Sequence, residues 1–334
     1  MNGRDTSIDS IKGLAIIAVV TIHSTFGENE FFVNHFLDVF SKFGVPMFIF
    51  ISGYLMYRQK EIVKNQYYIY MRKRYYYIGI PYFLMTLIIA IFTHREGIIF
   101  LKQLLTGSAS VPYFFIAVIF QLYLMSKLVV ELYEKNSQKL YIISMILILI
   151  YSGLFYLQLF FYKTIIIKSF QLHFPNYLVW FVLGIDFASE GRIANWLKNI
   201  SNKKYIIAVV FSLACCLIEI KILHNKNLDD GSYIALSSII WEFISVSFIF
   251  KNKQFLNNKL IARLGRNSFG IFLIHKPLLD LYFGYFGFEK IPQLSIIYMI
   301  ITLAVSIITL KTLGLSIRRL LGDQNPILPG RLGK

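Results

Sequence analysis

A histidine and a lysine, His23 and Lys12, occupy an otherwise apolar segment near the start of the chain. An imidazole takes up and releases a proton near neutral pH, so His23 is a candidate general base or nucleophile. The two residues are eleven positions apart, close to three helical turns, which places both side chains on one face about 16 Å apart. Ionisable groups inside a membrane span are unfavourable by about 2.5 kcal/mol or more, so both indicate function. The structural alternatives are an interfacial histidine bonded to water and a lysine whose amine reaches the interface.

Glu242 is a third ionisable residue within an apolar segment, near its middle and without a local partner. We expect it to face the interior and treat it as a second candidate catalytic residue. It could orient His23, bind a substrate hydroxyl or pair with a lysine from another helix, and its position does not choose among these roles. His275, also in an apolar segment, is expected to have a structural or donor-channel role.

Other ionisable residues in apolar segments have structural explanations. Two pairs are spaced i,i+4, Asp38 with Lys42 and Lys276 with Asp280, and each pair is expected to neutralise itself. A further group lies near segment ends, where the side chains are expected to reach the interface. This group consists of Lys127, Asp186, Glu219, Lys221 and Lys311.

Arg72, Lys73 and Arg74 form a basic cluster just before another apolar segment. Such a cluster commonly attracts anionic lipid or enforces topology. It could instead bind a phosphorylated ligand, because guanidinium groups contact phosphate oxygens in pairs. The surrounding tyrosines would then form an interfacial belt in the first case and flank an adenine in the second; they are Tyr67, Tyr68, Tyr70, Tyr75, Tyr76 and Tyr77.

The composition excludes a soluble globular protein. Of 334 residues 56% are hydrophobic and only 16% are charged, whereas soluble domains carry about 25% charged residues. The formal net charge is +16, but the positive residues fall between apolar segments, where they orient a membrane protein, so we expect no nucleic-acid binding. The two cysteines, Cys215 and Cys216, are adjacent and form neither a disulfide framework nor a spaced metal site. No metal is expected.

Ten segments are long and apolar enough to cross a bilayer, which needs about 20 helical residues. They predict an all-α, polytopic membrane helix bundle of about ten transmembrane helices. The segments are Ile8–Thr25, His35–Tyr57, Tyr75–Phe92, Tyr113–Val129, Leu140–Phe161, Leu172–Ala188, Tyr205–Leu223, Tyr233–Phe250, Ser268–Phe286 and Leu294–Leu315.

The charge distribution predicts the orientation of these segments. Lys and Arg concentrate in alternate connections, which places the N and C termini in the cytoplasm. The first segment lacks a cleavage site of small residues and is typical of an uncleaved signal anchor. We therefore expect one integral-membrane domain over residues 1–321, in the plasma or inner membrane, and a short cytoplasmic tail over 322–334 that is punctuated by Pro and Gly.

Several motifs, in order, resemble membrane acyltransferase family 3. They are Asp9 to Ala15 (DSIKGLA) followed by His23, Gly44 to Phe48 (GVPMF) followed by Ser52 to Leu55 (SGYL), Arg72 to Arg74 (RKR) ahead of Ile80 to Tyr82 (IPY), and Asn267 to His275 (NSFGIFLIH). The resemblance extends over nearly the whole chain, from about Asp5 to Leu315. Single motifs are weak, but their order, spacing and ten-span topology are fairly specific.

The resemblance implies transfer of an acyl group, usually acetyl, from cytoplasmic acyl-CoA to a hydroxyl of an extracytoplasmic or lipid-linked glycan. It matches the family's basic-residue-to-histidine motif to Lys12 and His23, and its basic cluster to Arg72 and Arg74. These three cations are the expected acetyl-CoA-binding residues. The sequence has Lys12 where arginine is more usual and Tyr77 where a second arginine is usual.

Two other classes of function remain open from the sequence. A transporter or flippase for a glycan or lipid-linked saccharide would also need many spans with few internal charges, but the chain has no repeated halves. A signalling or scaffold protein would need a soluble module. The expected partners are the glycan acceptor and membrane lipids, and the sequence does not indicate an oligomeric state.

Overall fold

The computed structural model describes residues 5–25, 32–95, 97–158, 172–225 and 234–321. Within these ranges the backbone forms sixteen α-helices and no strand, which confirms the predicted all-α fold. The helices are α1 (Thr6–Ser24), α2 (Phe32–Ser41), α3 (Gly44–Tyr57), α4 (Lys60–Asn65), α5 (Tyr67–Arg74), α6 (Ile80–Phe92), α7 (Ile98–Thr106), α8 (Phe114–Leu124), α9 (Ser126–Leu157), α10 (Leu178–Ser189), α11 (Arg192–Asn199), α12 (Asn202–Asn225), α13 (Leu236–Lys251), α14 (Lys259–Arg266), α15 (Ser268–Asp280) and α16 (Ser295–Leu321).

Six helical stretches in the described residues are long and apolar enough to cross a membrane. A seventh is the bent pair Ile98–Thr106 and Val111–Leu124, whose parts meet at 61°. Each of the ten predicted segments contains helix, but some of these helices are shorter than a full span, such as Leu178–Ser189. The count of ten spans and the cytoplasmic termini therefore stay predictions. The predicted tail 322–334, Phe161 and Tyr233 lie outside the described residues.

Two glycines allow α1 and α14 to cross with their backbones in contact. A Cβ atom on Gly13 would overlap the carbonyl oxygen of Ile261, and one on Gly265 would overlap the carbonyl oxygen of Asp9. Small residues at such positions are typical of helix pairs inside membranes, where close packing replaces the hydrophobic driving force. The crossing holds the start of α15, which follows α14 after the single residue Asn267, against α1.

A hydrogen-bonded cap fixes the start of α14 at the same crossing. The side chain of Asn258 accepts hydrogen bonds from the backbone N–H groups of Leu260 and Ile261. The hydroxyl of Ser10, on α1, lies 3.2 Å from the carbonyl oxygen of Asn258, to which it donates. The short helix α14 is thus tied to α1 at its first turn and packed on it along its length.

A second glycine pair joins α3 to α10 in the core. A Cβ on Gly53 would overlap the carbonyl oxygen of Phe181, and one on Gly184 would overlap the carbonyl oxygen of Phe50. Both glycines are buried, and the apolar residues around them form the largest core cluster of the protein. This contact places α3, which also packs on α1, between α1 and α10.

Asp186 does not reach the interface, so the prediction from its place near a segment end is wrong. Its side chain is buried, with 1% of its surface exposed. The hydroxyl of Tyr133 donates to one carboxylate oxygen at 2.5 Å, and the N–H of Ala194 donates to the other at 2.6 Å. The carboxylate therefore joins α9 to the first turn of α11, whose free N–H groups favour negative charge.

Glu219 also binds a helix start, and its side chain is half-buried; its expected position at the interface stays a prediction. Its carboxylate accepts hydrogen bonds from the Ser237 N–H, at 3.0 Å, and from the Tyr156 hydroxyl. That hydroxyl in turn accepts from the Leu236 N–H at 2.9 Å. These contacts satisfy the first turn of α13, which an apolar surrounding would leave without partners. The three lysines of the same predicted group, Lys127, Lys221 and Lys311, are exposed as expected.

We expect Gly184→Ala to destabilise the protein, because the added Cβ would overlap the Phe50 carbonyl and force α3 and α10 apart. Overpacking of this kind is unfavourable by about 1–3 kcal/mol. Gly153→Ala is the matched control, since a Cβ on Gly153, inside α9, meets nothing within 4 Å. The measurement is thermal unfolding of both variants in detergent. Equal unfolding temperatures for the two would contradict a close α3–α10 contact.

Candidate active site

Two histidines from different helices meet inside the protein. His23, in the last turn of α1, and His275, on α15, have ring centroids 5.3 Å apart with 37° between the ring planes. His275 is fully buried and His23 is partly buried. Of the two histidines, the sequence predicts a catalytic role only for His23, and the structure adds His275 as its direct neighbour.

The hydrogen bonds of His275 determine which of its ring nitrogens carries the proton. Its Nδ1 lies 2.8 Å from the carbonyl oxygen of Phe272 and 3.1 Å from that of Ile271. Because carbonyl oxygens only accept, Nδ1–H is the donor, and a neutral His275 then has its lone pair on Nε2. Nε2 is buried and makes no hydrogen bond to the described residues. His275 therefore offers a buried hydrogen-bond acceptor beside His23.

The ion pair Lys276–Asp280 lies next to the histidines. Lys276 bonds to Asp280 one helical turn along α15, as predicted from their i,i+4 spacing. Lys276 acts electrostatically on both His23 and His275. Its pairing with Asp280 limits the positive charge that the two imidazoles experience.

A cavity of 330 Å³, here called the basic cavity, opens between the inner parts of α1, α3, α5, α8, α14 and α15. Three cationic side chains line it: Lys12, Arg74 and Arg266. No carboxylate of the described residues lines it. The remaining wall is largely aromatic and includes Phe48, Phe115, Phe269, Phe272, Tyr77 and Tyr123. An apolar pocket with a few convergent charges is typical of sites for small anionic ligands.

Arg74 is held in the wall of this cavity by two aromatic rings. Its guanidinium carbon lies 4.7 Å from the ring centroid of Tyr70 and 5.1 Å from that of Tyr123. Such contacts stabilise a cation through the ring quadrupole and leave its N–H groups for other partners. Its Nε is buried and has no hydrogen-bond partner among the described residues. Directly after Arg74 the chain forms a π-helix, Tyr75–Gly79, and Tyr77 from this turn also lines the cavity.

Arg266 is the residue that sequence reasoning missed. It was counted among the positive charges that orient the membrane segments, whereas the structure brings it to the wall that Lys12 lines. It ends α14, so the crossing of α14 on α1 determines its position. Gly13 and Gly265 are a signal in the sequence that could have indicated this crossing.

Phe272 separates the basic cavity from the histidine pair. It lines the cavity, and its ring centroid lies 6.0 Å from that of His275, three residues further along α15. Phe115 packs on the other side of Phe272, with 5.4 Å between centroids. Ser268, at the cavity, precedes His275 by seven residues, or about 10 Å along the helix. Cations and imidazoles therefore lie at successive depths along α1 and α15.

Arg72, which we expected beside Arg74, does not line the basic cavity. It is exposed, with its guanidinium carbon 5.6 Å from the ring centroid of Tyr76. Two residues along an α-helix correspond to about 200° of rotation, so the two arginines leave α5 on opposite sides. Of the expected donor-binding residues, the structure brings together Lys12 and Arg74 but not Arg72.

Glu242 lies in a different cluster from His23. It is 1% exposed on α13, and the charge that acts on it is that of Lys42, which is also buried and pairs with Asp38 at 3.5 Å. The groups that act on His23 are His275 and Lys276. Of the three roles considered for Glu242, an electrostatic interaction with a lysine distant in the sequence, Lys42, is consistent with this placement.

The chain was also compared with known proteins. A family model described as an acyltransferase domain, that of acyltransferase family 3, matches residues 5–311. No curated protein and no solved structure matches the chain. The family match covers nearly all of the described helices, including every residue of the basic cavity and both histidines. The chain therefore belongs to the membrane acyltransferase family 3, as its motifs predicted.

Proposed function

We propose that this protein transfers an acetyl or other short acyl group from acyl-CoA to a hydroxyl of an extracytoplasmic or lipid-linked glycan, in the plasma or inner membrane. The arrangement of the site is the observation that supports acyl-CoA as the donor. Three cations line one cavity, and two imidazoles lie beyond its aromatic end. Acyl-CoA has the matching layout, with phosphates at one end and a thioester at the other.

In this proposal Lys12, Arg74 and Arg266 bind the donor phosphates. The Nε of Arg74 has no partner among the described residues, and a phosphate oxygen would satisfy it. The pantetheine arm then runs past Phe272 toward the histidines, over the roughly 16 Å of α1 between Lys12 and His23. The largely apolar walls suit an arm with few charges and limit the access of water to the thioester.

His23 is the proposed general base. It accepts the proton of the acceptor hydroxyl as the oxygen attacks the thioester carbon, and the C–S bond breaks as the tetrahedral intermediate collapses. The imidazolium returns its proton to the departing CoA thiolate. In a two-step variant His23 itself takes the acyl group and passes it to the hydroxyl, which ping-pong kinetics would distinguish.

His275 is the proposed positioning residue for His23. An N–H of His23 donating to the lone pair of His275 Nε2 would fix the orientation of the base and leave its other nitrogen free for the hydroxyl. The ring separation of 5.3 Å fits such a bond between facing ring edges.

We expect His23→Ala to lower acyl transfer by at least about 100-fold, because the base is removed from the reaction. The measurement is the O-acetyl content of surface glycans in a strain that lacks the protein, complemented with wild type or variant. His94→Asn is the control, since His94 is exposed at the end of α6 with φ 52°, a conformation that asparagine tolerates. Normal acetylation by a folded His23→Ala protein would remove His23 from the mechanism.

We expect His275→Gln to lower kcat with little change in the KM for acetyl-CoA, because it alters the alignment of His23 and not donor binding. Tyr113→Phe is the matched control: Tyr113 precedes α8, and its hydroxyl donates a 2.6 Å hydrogen bond to the Leu273 carbonyl of α15. The substitution removes this contact to α15 and leaves both imidazoles unchanged. The assay is CoA release from acetyl-CoA by protein in acceptor-bearing membranes. A similar decrease in kcat for both variants would show that the effect comes from distortion of α15 and would contradict a positioning role for His275.

We expect Arg74→Ala and Arg266→Ala each to raise the KM for acetyl-CoA by about 10-fold, because each removes a charge-assisted hydrogen bond to phosphate. Arg72→Ala is the control, two residues from Arg74 but outside the basic cavity. The same CoA-release assay, run over a range of acetyl-CoA concentrations, measures the effect. An equal rise for Arg72→Ala would mean that the cluster acts through general surface charge.

A further inference from the structure

A second cavity lies elsewhere in the protein and shares no lining residue with the basic cavity. This α9–α13 groove has a volume of 910 Å³. A stripe of α9 residues spaced three and four apart lines one wall and includes Ile142, Ile146 and Leu149, each about half exposed. Residues of α13, among them Ile240 and Phe243, line the opposite wall. Such a trough of exposed aliphatic side chains between membrane helices is complementary to hydrocarbon chains.

The polar side chains among the described lining residues gather toward one end of the groove. Ser137 and Gln138, at the start of the α9 stripe, and Arg192, on α11, line this end. Trp196 lies beside them with 61% of its surface exposed. Tryptophan and arginine together are typical of the boundary between hydrocarbon and headgroups. The groove therefore begins at a membrane interface and extends into the apolar layer.

The length of the groove corresponds to one leaflet of a bilayer. From Ser137 to Leu149 the lined face of α9 covers twelve residue steps, or about 18 Å. Half of a hydrocarbon core of about 30 Å is about 15 Å. A two-chain phospholipid fits this length better than a polyprenyl lipid, whose chain is much longer than one leaflet.

The charge at the polar end favours an anionic headgroup. Arg192 is exposed and forms no ion pair with the described residues. The Tyr141 hydroxyl, on the same stripe of α9, is buried without a hydrogen-bond partner in the described part of the chain. Asp186 also lines the groove, and its buried carboxylate accepts hydrogen bonds at both oxygens, from Tyr133 and from Ala194. The Arg192 guanidinium and the Tyr141 hydroxyl are therefore two hydrogen-bond donors that could bind a phosphate.

We propose that the α9–α13 groove is a binding site for one anionic phospholipid. Its acyl chains lie between α9 and α13, and its phosphate binds Arg192 within reach of the Tyr141 hydroxyl. The site is separate from the basic cavity. The proposal therefore does not depend on whether the protein transfers acyl groups as proposed above. The bound lipid would cover the exposed wall of α9 and satisfy a buried donor.

The test is native mass spectrometry of the full chain released from nanodiscs that contain equal amounts of phosphatidylglycerol and phosphatidylcholine. We expect wild type to retain one phosphatidylglycerol molecule in preference to phosphatidylcholine. Arg192→Gln should lower that bound fraction by about 10-fold, the effect of about 1.4 kcal/mol. Tyr141→Phe should lower it less, and Lys203→Gln, an exposed charge at the start of α12, should leave it unchanged.

A second variant tests the apolar part of the groove without changing charge. Ile146→Trp fills the space between α9 and α13 and should also displace the phosphatidylglycerol. Thermal unfolding in detergent shows whether each variant is folded. If Arg192→Gln does not fold, the phosphatidylglycerol bound by Ile146→Trp and by Tyr141→Phe tests the proposal instead. Equal retention of both phospholipids by wild type, retention unaffected by Arg192→Gln and Ile146→Trp, or copurification of a polyprenyl phosphate in their place would overturn the proposal.

Discussion

The backbone contact between α1 and α14 is the constraint on which the site depends. Where Gly13 and Gly265 meet, the two helices are closer than any side chain would allow. This contact places Arg266, at the end of α14, on the cavity wall that Lys12 also lines. Since α15 begins three residues after Gly265, the same contact starts α15 beside α1. His275 then meets His23 about 10 Å further along.

Two carboxylates in apolar segments of this protein are satisfied by the starts of neighbouring helices. Asp186 and Glu219 bind the first turns of α11 and α13, where N–H groups have no helical partner. Where these groups pack against each other inside the protein, neither the carboxylates nor the N–H groups can turn to water, so each stabilises the other. Arg74 and His275 differ: each keeps a buried nitrogen without a partner among the described residues. An unsatisfied buried donor or acceptor is unfavourable by about 1–3 kcal/mol, which a substrate can recover.

The sequence predicted the parts of this arrangement that depend on local pattern. Long apolar segments determine helices, so the all-α fold and the position of His23 within a helix followed from composition and length. Three-turn spacing placed Lys12 and His23 along one helix, and Lys12 does line the cavity. Arg266 could not be separated from the orienting charges, because its role depends on which helix α14 touches. For the same reason the sequence did not predict that His275 lies beside His23 or that Lys42 lies near Glu242.

The separation of charge along α1 and α15 suits the proposed reaction, in which the donor binds from the cytoplasm and the acceptor from the opposite side. Cations beside the histidines would hold the donor phosphates deep inside the protein and would repel a protonated imidazole. Cations about 10–16 Å from the histidines have only a weak effect of either kind. Phe272 and Phe115 occupy the space between them, so the charged end of a donor stops at the basic cavity while a slender uncharged arm can continue. In the proposed mechanism the thioester would then reach the place where Nε2 of His275 can hold the imidazole of His23. The acyl group would pass to the acceptor there, while the phosphates of the donor stay at the basic cavity.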